Sequence, residues 1–220
     1  SFSSFQAFFT RTLSPDLRPI SSQAICVSPA DGRVQSCGHV QSGELIQAKG
    51  LFYSLEEFLA VPEYNLFLNS QYVTIYLSPR DCHRVFSPVD GDVVKTVHVP
   101  GQVMPVKSSY VSKVPQLYII NERVVMIMKT SFGWVAVVMV AALNVGNIGL
   151  DYQSDFRTMI NRNDTTVINH EHPFSMTKGK PLATFYLGST VVLLAAGLKR
   201  PFSADVMIKE NLVKYGSLIC

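Results

Sequence analysis

A chain of 220 residues holds one large domain, or two small ones sharing a core. Hydrophobic residues make up 47% and charged residues only 16%, a balance that excludes a disordered chain and suits work on apolar ligands, at a membrane, or in an ordinary β-rich enzyme. The net charge of +3 is too small for a nucleic-acid binder and gives no more than weak attraction to anionic headgroups.

Residues 1–13 carry Phe2, Phe5, Phe8 and Phe9 at helical spacing, which predicts a short helix packed on the body, with Ser3 or Ser4 as its cap. Residues 17–25 read as a proline-punctuated linker. A short pattern then occurs twice, as Ser28-Pro29-Ala30-Asp31-Gly32-Arg33-Val34 and as Ser87-Pro88-Val89-Asp90-Gly91-Asp92-Val93. Each copy is an Asp-Gly turn leading into a β-branched strand, and each is followed at the same offset by His-Val, at His39 and His98. A match of this length is an internal duplication. It predicts two related β-hairpin units, as in barrel-sandwich hybrids of the lipoyl-domain type.

Between the copies, residues 53–60 predict a short helix capped by Ser54, with Glu56 and Glu57 in its first turn. Residues 72–77 read as a strand ending in the polar segment Ser78-Pro79-Arg80-Asp81-Cys82-His83-Arg84-Val85-Phe86. Residues 103–117 read as a loop with an apolar face. Residues 123–128 and 134–143 predict a buried hairpin turned at Ser131-Phe132-Gly133. Residues 151–175 read as a polar surface loop, and residues 203–215 as a short helix or an edge strand. The expected fold is mainly β (α+β), with duplicated hairpin units and a few short peripheral helices.

The apolar run from Leu182 to Ala196 reads as strand, yet it contains Gly188-Ser189-Thr190. Gly188 lets a nucleophile approach its carbonyl, and Ser189 places a hydroxyl one residue downstream. That pair suits either a turn between two strands or an N→O acyl shift, in which the serine attacks the peptide bond before it. The four cysteines (Cys26, Cys37, Cys82 and Cys220) fit no metal or redox spacing and are expected as reduced thiols of an intracellular protein. His170-Glu171-His172 has no third ligand nearby and reads as a solvated loop, so no metal is expected. No apolar run reaches transmembrane length, and a start at Ser1 without methionine predicts that an N-terminal piece, with any anchor it carried, has been removed.

Taken together, Ser28-Pro29-Ala30-Asp31-Gly32, Leu77 to Val85, Asn121-Glu122-Arg123-Val124 and Leu187-Gly188-Ser189-Thr190 make the chain resemble the phosphatidylserine decarboxylases, in order from Phe5 to about Asn211. The resemblance implies a single domain over residues 1–220, made as a proenzyme that cuts itself at Gly188-Ser189 into a β part, 1–188, and an α part, 189–220. Ser189 would become a pyruvoyl group, with no pyridoxal phosphate and no metal, and phosphatidylserine would be decarboxylated to phosphatidylethanolamine. The family's cleavage aspartate falls on Asp31 and its decarboxylation histidine on His83. Arg80 and Arg84 would meet a phosphate headgroup, or else pair with Asp81 or Asp90; Val103 and Met104 would lie near the lipid. Expected partners are phosphatidylserine, a membrane surface, the two fragments of one chain and a second copy in a homodimer, with no nucleic acid. The expected location is peripheral to, or anchored at, a bacterial inner membrane or an organelle membrane.

One position departs from the pattern. The family segment reads His-Arg-Val-His, and its second histidine is the base for self-cleavage; here that residue is Phe86. Phenylalanine accepts no proton, and losing a general base costs about 10²–10⁴-fold in rate. The chain is therefore expected to remain uncut. The alternatives are a catalytically inactive lipid-binding member of the family, or slow cleavage assisted by His83 or a water-bridged group.

Overall fold

The computed structural model describes residues 2–48, 50–142, 147–158, 163–186 and 189–220, Ser189 by its backbone alone. Thirteen strands run in chain order as β1 (Gly32–His39), β2 (Glu44–Ala48), β3 (Leu51–Ser54), β4 (Gln71–Leu77), β5 (Arg84–Phe86), β6 (Gly91–Val99), β7 (Arg123–Lys129), β8 (Trp134–Ala141), β9 (Ile148–Leu150), β10 (Thr166–Met176), β11 (Pro181–Phe185), β12 (Ser189–Ala196) and β13 (Leu212–Val213). Four short helices accompany them: α1 (Phe5–Phe9), α2 (Leu55–Leu59), α3 (Ser108–Val111) and α4 (Leu117–Ile120). The fold is mainly β, as expected. Its sheets are open and antiparallel, without a closed barrel among the described residues.

The largest sheet has eight strands in the order β10-β6-β7-β8-β12-β4-β1-β13. Its centre is buried on both faces. Along β12, Val191, Leu193 and Ala195 enter one core, while Val192, Leu194 and Ala196 enter the other. Two-sided burial explains why β7, β8 and β12 read as continuous apolar runs instead of alternating ones. Two smaller sheets, β5-β11-β9 and β2-β3, complete the strands.

Caps appear where the sequence places them. The Ser4 side chain accepts from Ala7 N at the start of α1, and that of Ser54 accepts from Glu57 N at the start of α2. Both helices are shorter than expected, and residues 53 and 54 belong to β3 rather than to the helix.

Four expectations need correction. The run 182–196 is two strands, β11 in the three-stranded sheet and β12 in the large one, so the chain changes sheet around its Gly-Ser step. The supposed loop 151–175 contains β10, which pairs with β6 at the edge of the large sheet. The supposed loop 103–117 holds the short helix α3, whereas residues 203–215 bear out the edge-strand alternative in the two-residue β13, paired with β1 at the end of the large sheet. The linker at 17–25 is anchored: Ser21 N donates to Gly216 O at 2.9 Å, and the Ile20 side chain fills the space that a Cβ at Gly179 or Gly216 would occupy.

Candidate functional site

The duplicated turns are duplicated in space. Ser28 Oγ donates to Ala30 O at 2.8 Å and Ser87 Oγ to Val89 O at 2.7 Å, so each serine braces its own turn. The glycines that open β1 and β6 press on the neighbouring strand: a Cβ would lie 2.4 Å from Tyr76 O at Gly32 and 2.6 Å from Lys129 O at Gly91. Both strands carry a bulge at the same place, after Val34 and after Val93.

Each aspartate receives a backbone N–H from a matching loop, Tyr215 N to Asp31 Oδ1 at 2.9 Å and Lys178 N to Asp90 Oδ1 at 2.7 Å. The next residues, Gly216 and Gly179, both have φ of +82°, a left-handed turn that glycine adopts without strain. These loops are a second internal match, short enough to escape notice in sequence because only the glycine is shared. The copies then exchange hydrogen bonds: Val27 N donates to Pro88 O, and Phe86 N donates to Pro29 O, both at 2.8 Å. That exchange brings position 86, from the second copy, against the Asp31 turn of the first.

Around Asp31 the pseudo-symmetry breaks. The Phe86 ring stacks on Tyr215 with centroids 3.8 Å apart and planes 15° apart. Arg18 reaches Asp31 from the N-terminal segment, with Nε at 2.9 Å from Oδ1 and Nη2 at 2.6 Å from Oδ2. Asp90, by contrast, has no ion pair among the described residues.

His83 is fully buried, its ring stacked on Phe9 at 3.6 Å between centroids. Its Nδ1 lies 3.0 Å from the Asp81 carbonyl, which can only accept, so Nδ1 carries the proton and Nε2 a lone pair. Nε2 has no hydrogen-bond partner among the described residues. Burial pushes the pKa of the ring down to about 4, so His83 is neutral at physiological pH. The Asp81 carboxylate is itself used locally, accepting from Ser78 N and Ser78 Oγ at 2.7 Å each.

Gly188 and the scissile bond expected before Ser189 lie outside the described residues. Their flanks are described. Upstream, Phe185 N donates to His83 O at 2.9 Å; downstream, Ser189 pairs in register with Leu77 and Ala141. The strand that leads into the His83 segment therefore lies alongside the strand that begins at Ser189.

On the other side of β12 the Asn-Glu-Arg-Val motif does its work through Asn121. Its side chain accepts from Met104 N at 3.0 Å and donates to both Met104 O and Ala141 O at 2.8 Å. Val103 and Met104, both half-buried, are thereby tied to the residue beside Ser189. Arg84 does not pair with Asp81 or Asp90: its Nε donates to Thr10 O at 3.0 Å and its guanidinium faces Asp151 at 3.8 Å. Arg80 is exposed and offers only its carbonyl, to Arg11 Nη2 at 2.8 Å.

Sequence reasoning missed three groups here. Arg18 and Tyr215 carry no local signal, since each meets Asp31 only through the fold. His98, read as the counterpart of exposed His39, is buried instead and lies 2.9 Å from Glu122 through Nε2. His170 meets Thr96 Oγ1 at 2.9 Å while Glu171 and His172 are exposed.

Comparison with known proteins adds to this geometry. The family model described as phosphatidylserine decarboxylase matches residues 5–220. The chain is 38% identical over 198 residues to the phosphatidylserine decarboxylase proenzyme of Haemophilus influenzae, covering 88% of this chain and 68% of that protein. The proenzyme of Acinetobacter baylyi is 34% identical over 220 residues, with 99% and 73% covered. That of Hamiltonella defensa is 39% identical over 226 aligned positions, with 100% and 78% covered.

Proposed function

Because the chain belongs to the phosphatidylserine decarboxylase family, we propose that it is a decarboxylase proenzyme held uncut by Phe86, with Gly188-Ser189 as the cleavage site and phosphatidylserine as the substrate. The observation that carries this reading is the Phe86–Tyr215 stack beside Asp31. A ring with no proton acceptor stands where the serine hydroxyl needs a base.

The family is pyruvoyl-dependent, and the residues here fit such a group at Ser189: the strand beginning there starts beside Leu77, where β4 leads into the His83 segment, and His83 Nε2 is buried without a partner among the described residues. The pyruvoyl carbonyl would supply the electron sink for loss of carbon dioxide, without metal or pyridoxal phosphate. His83 would do the proton work. Its Nε2 would relay to the carbon that carbon dioxide has left the one proton that the net reaction takes up from water. Val103 and Met104 would border the lipid, and exposed Arg80 would meet its phosphate. A lipid substrate would place the single domain at a membrane surface, bacterial or organellar.

The test is carbon dioxide release from labelled phosphatidylserine vesicles. The chain as it stands should release none, and Phe86→His should release it along with phosphatidylethanolamine. A Phe86→His protein that is cut yet releases none would remove His83 and Ser189 from their assigned roles. A second reading, an inactive lipid-binding member of the family, draws on the complete burial and stacking of Phe86, which shows that the position is well packed without a histidine. It predicts vesicle binding by the uncut chain and no turnover from Phe86→His.

A further inference from the structure

The internal duplication supplies a control within the molecule. Asp31 and Asp90 sit in the same turn, take the same backbone N–H and precede glycines pressed on a neighbouring strand. Asp90 therefore shows what the turn requires for its own sake, and a cation is not part of it. Arg18 is the addition that separates the Asp31 copy from its twin.

We propose that Arg18 is a positioning residue for self-cleavage, holding the Asp31 carboxylate in a fixed plane for the base at position 86. This rests on the reading of the chain as a proenzyme. Arg18 Nε lies 2.9 and 3.1 Å from the two Asp31 oxygens, Arg18 Nη2 is 2.6 Å from Oδ2, and Tyr215 N is 2.9 Å from Oδ1. A forked guanidinium contact fixes the carboxylate plane in a way that one N–H cannot. Three donors thus hold both oxygens, with the Arg18 Nε contact divided between them.

The contact is sheltered, with 17% of the Arg18 side chain and 7% of that of Asp31 exposed, so water screens it little. Arg18 itself is fixed from behind, because Ile20 is wedged against Gly179 and Gly216 and Ser21 N is bonded to Gly216 O. The other titratable groups facing Asp31 are Tyr215 and Cys82, both pushed up by burial and both neutral at physiological pH. Arg18 is thus the cation paired with this carboxylate among the described residues.

The test starts from Phe86→His, with self-cleavage followed by intact mass and each variant's thermal midpoint recorded alongside. Adding Arg18→Ala should slow cleavage at least tenfold, and adding Arg18→Lys, which keeps the charge and loses the fork, should recover only part of the rate. Adding Asp90→Asn should leave the rate unchanged. Cleavage by the Arg18→Ala form at the rate of Phe86→His overturns the proposal and leaves the proenzyme reading intact. So does a slower rate that follows a lowered thermal midpoint with no recovery by lysine, since that marks a structural tie. Failure of Phe86→His itself to cut instead overturns the proenzyme reading, and this proposal with it.

Discussion

At His83 the ring is held between Phe9 and the Asp81 carbonyl, and burial lowers its pKa to about 4 from an ordinary 6.5. The unfolded chain therefore binds a proton between those values while the native chain does not. Stability from this residue is complete above the ordinary pKa and falls as pH drops towards about 4, with no further change below. The loss is on the order of 3 kcal/mol. Urea unfolding at pH 7 and pH 4 should show it, and His83→Gln should remove that part of the slope. An equal slope in both proteins would mean that the ring is solvated. Position 86 makes the opposite case, since a stacked phenylalanine is good packing and poor chemistry. Phe86→His should cost about 1–3 kcal/mol in thermal or urea unfolding while restoring cleavage. His83 could be picked out in sequence because polar groups wedged between strands are conspicuous, whereas Phe86 stood out only against the family's second histidine. Arg18 could not be: its partner lies thirteen residues on, and only the fold brings them together.

Strands and turns were legible to different depths. The buried strands β4, β7, β8 and β12 announce themselves as runs of Val, Ile, Leu and Met, since both faces are covered. The edge strand β10 does not, because its outward positions include Asn169 and Glu171, and its inward ones include Thr166 and His170. An edge strand with a solvated face has the composition of a loop. The Asp-Gly turns were legible as a pair, and their equivalence gives a prediction. Gly32→Ala and Gly91→Ala each drive a Cβ into a backbone carbonyl, so each should destabilise by about 2–3 kcal/mol in urea unfolding. A large cost at one and none at the other would deny the structural duplication. Asn121 tests the other side of β12. Asn121→Ala strips partners from Met104 N, Met104 O and Ala141 O, and should cost about 1–3 kcal/mol. It should also weaken vesicle binding in a sedimentation assay, because the Val103–Met104 loop loses its tie to the sheet.

For the whole molecule, the repeat led to the right class of fold, while the architecture came from features that sequence hides. The two turn units exchange hydrogen bonds across an approximate two-fold, and the N-terminal segment locks over the junction through Arg18 and Ile20. This segment looked like a linker because prolines punctuate it, and its anchors are single side chains. On the proposed reading this arrangement gives one copy to chemistry and leaves the other as scaffold. It also makes position 86 decisive, because the hydrogen bond from Phe86 N to Pro29 O fixes whatever side chain stands there against the Asp31 turn. The most direct measurement is the intact mass of the native-sequence protein and of Phe86→His after days at neutral pH. The account predicts one species of full length for the first. For the second it predicts two, residues 1–188 and a 189–220 fragment lighter by one ammonia than its serine form. An uncut Phe86→His protein, or a native-sequence protein that cuts itself just as fast, would contradict it.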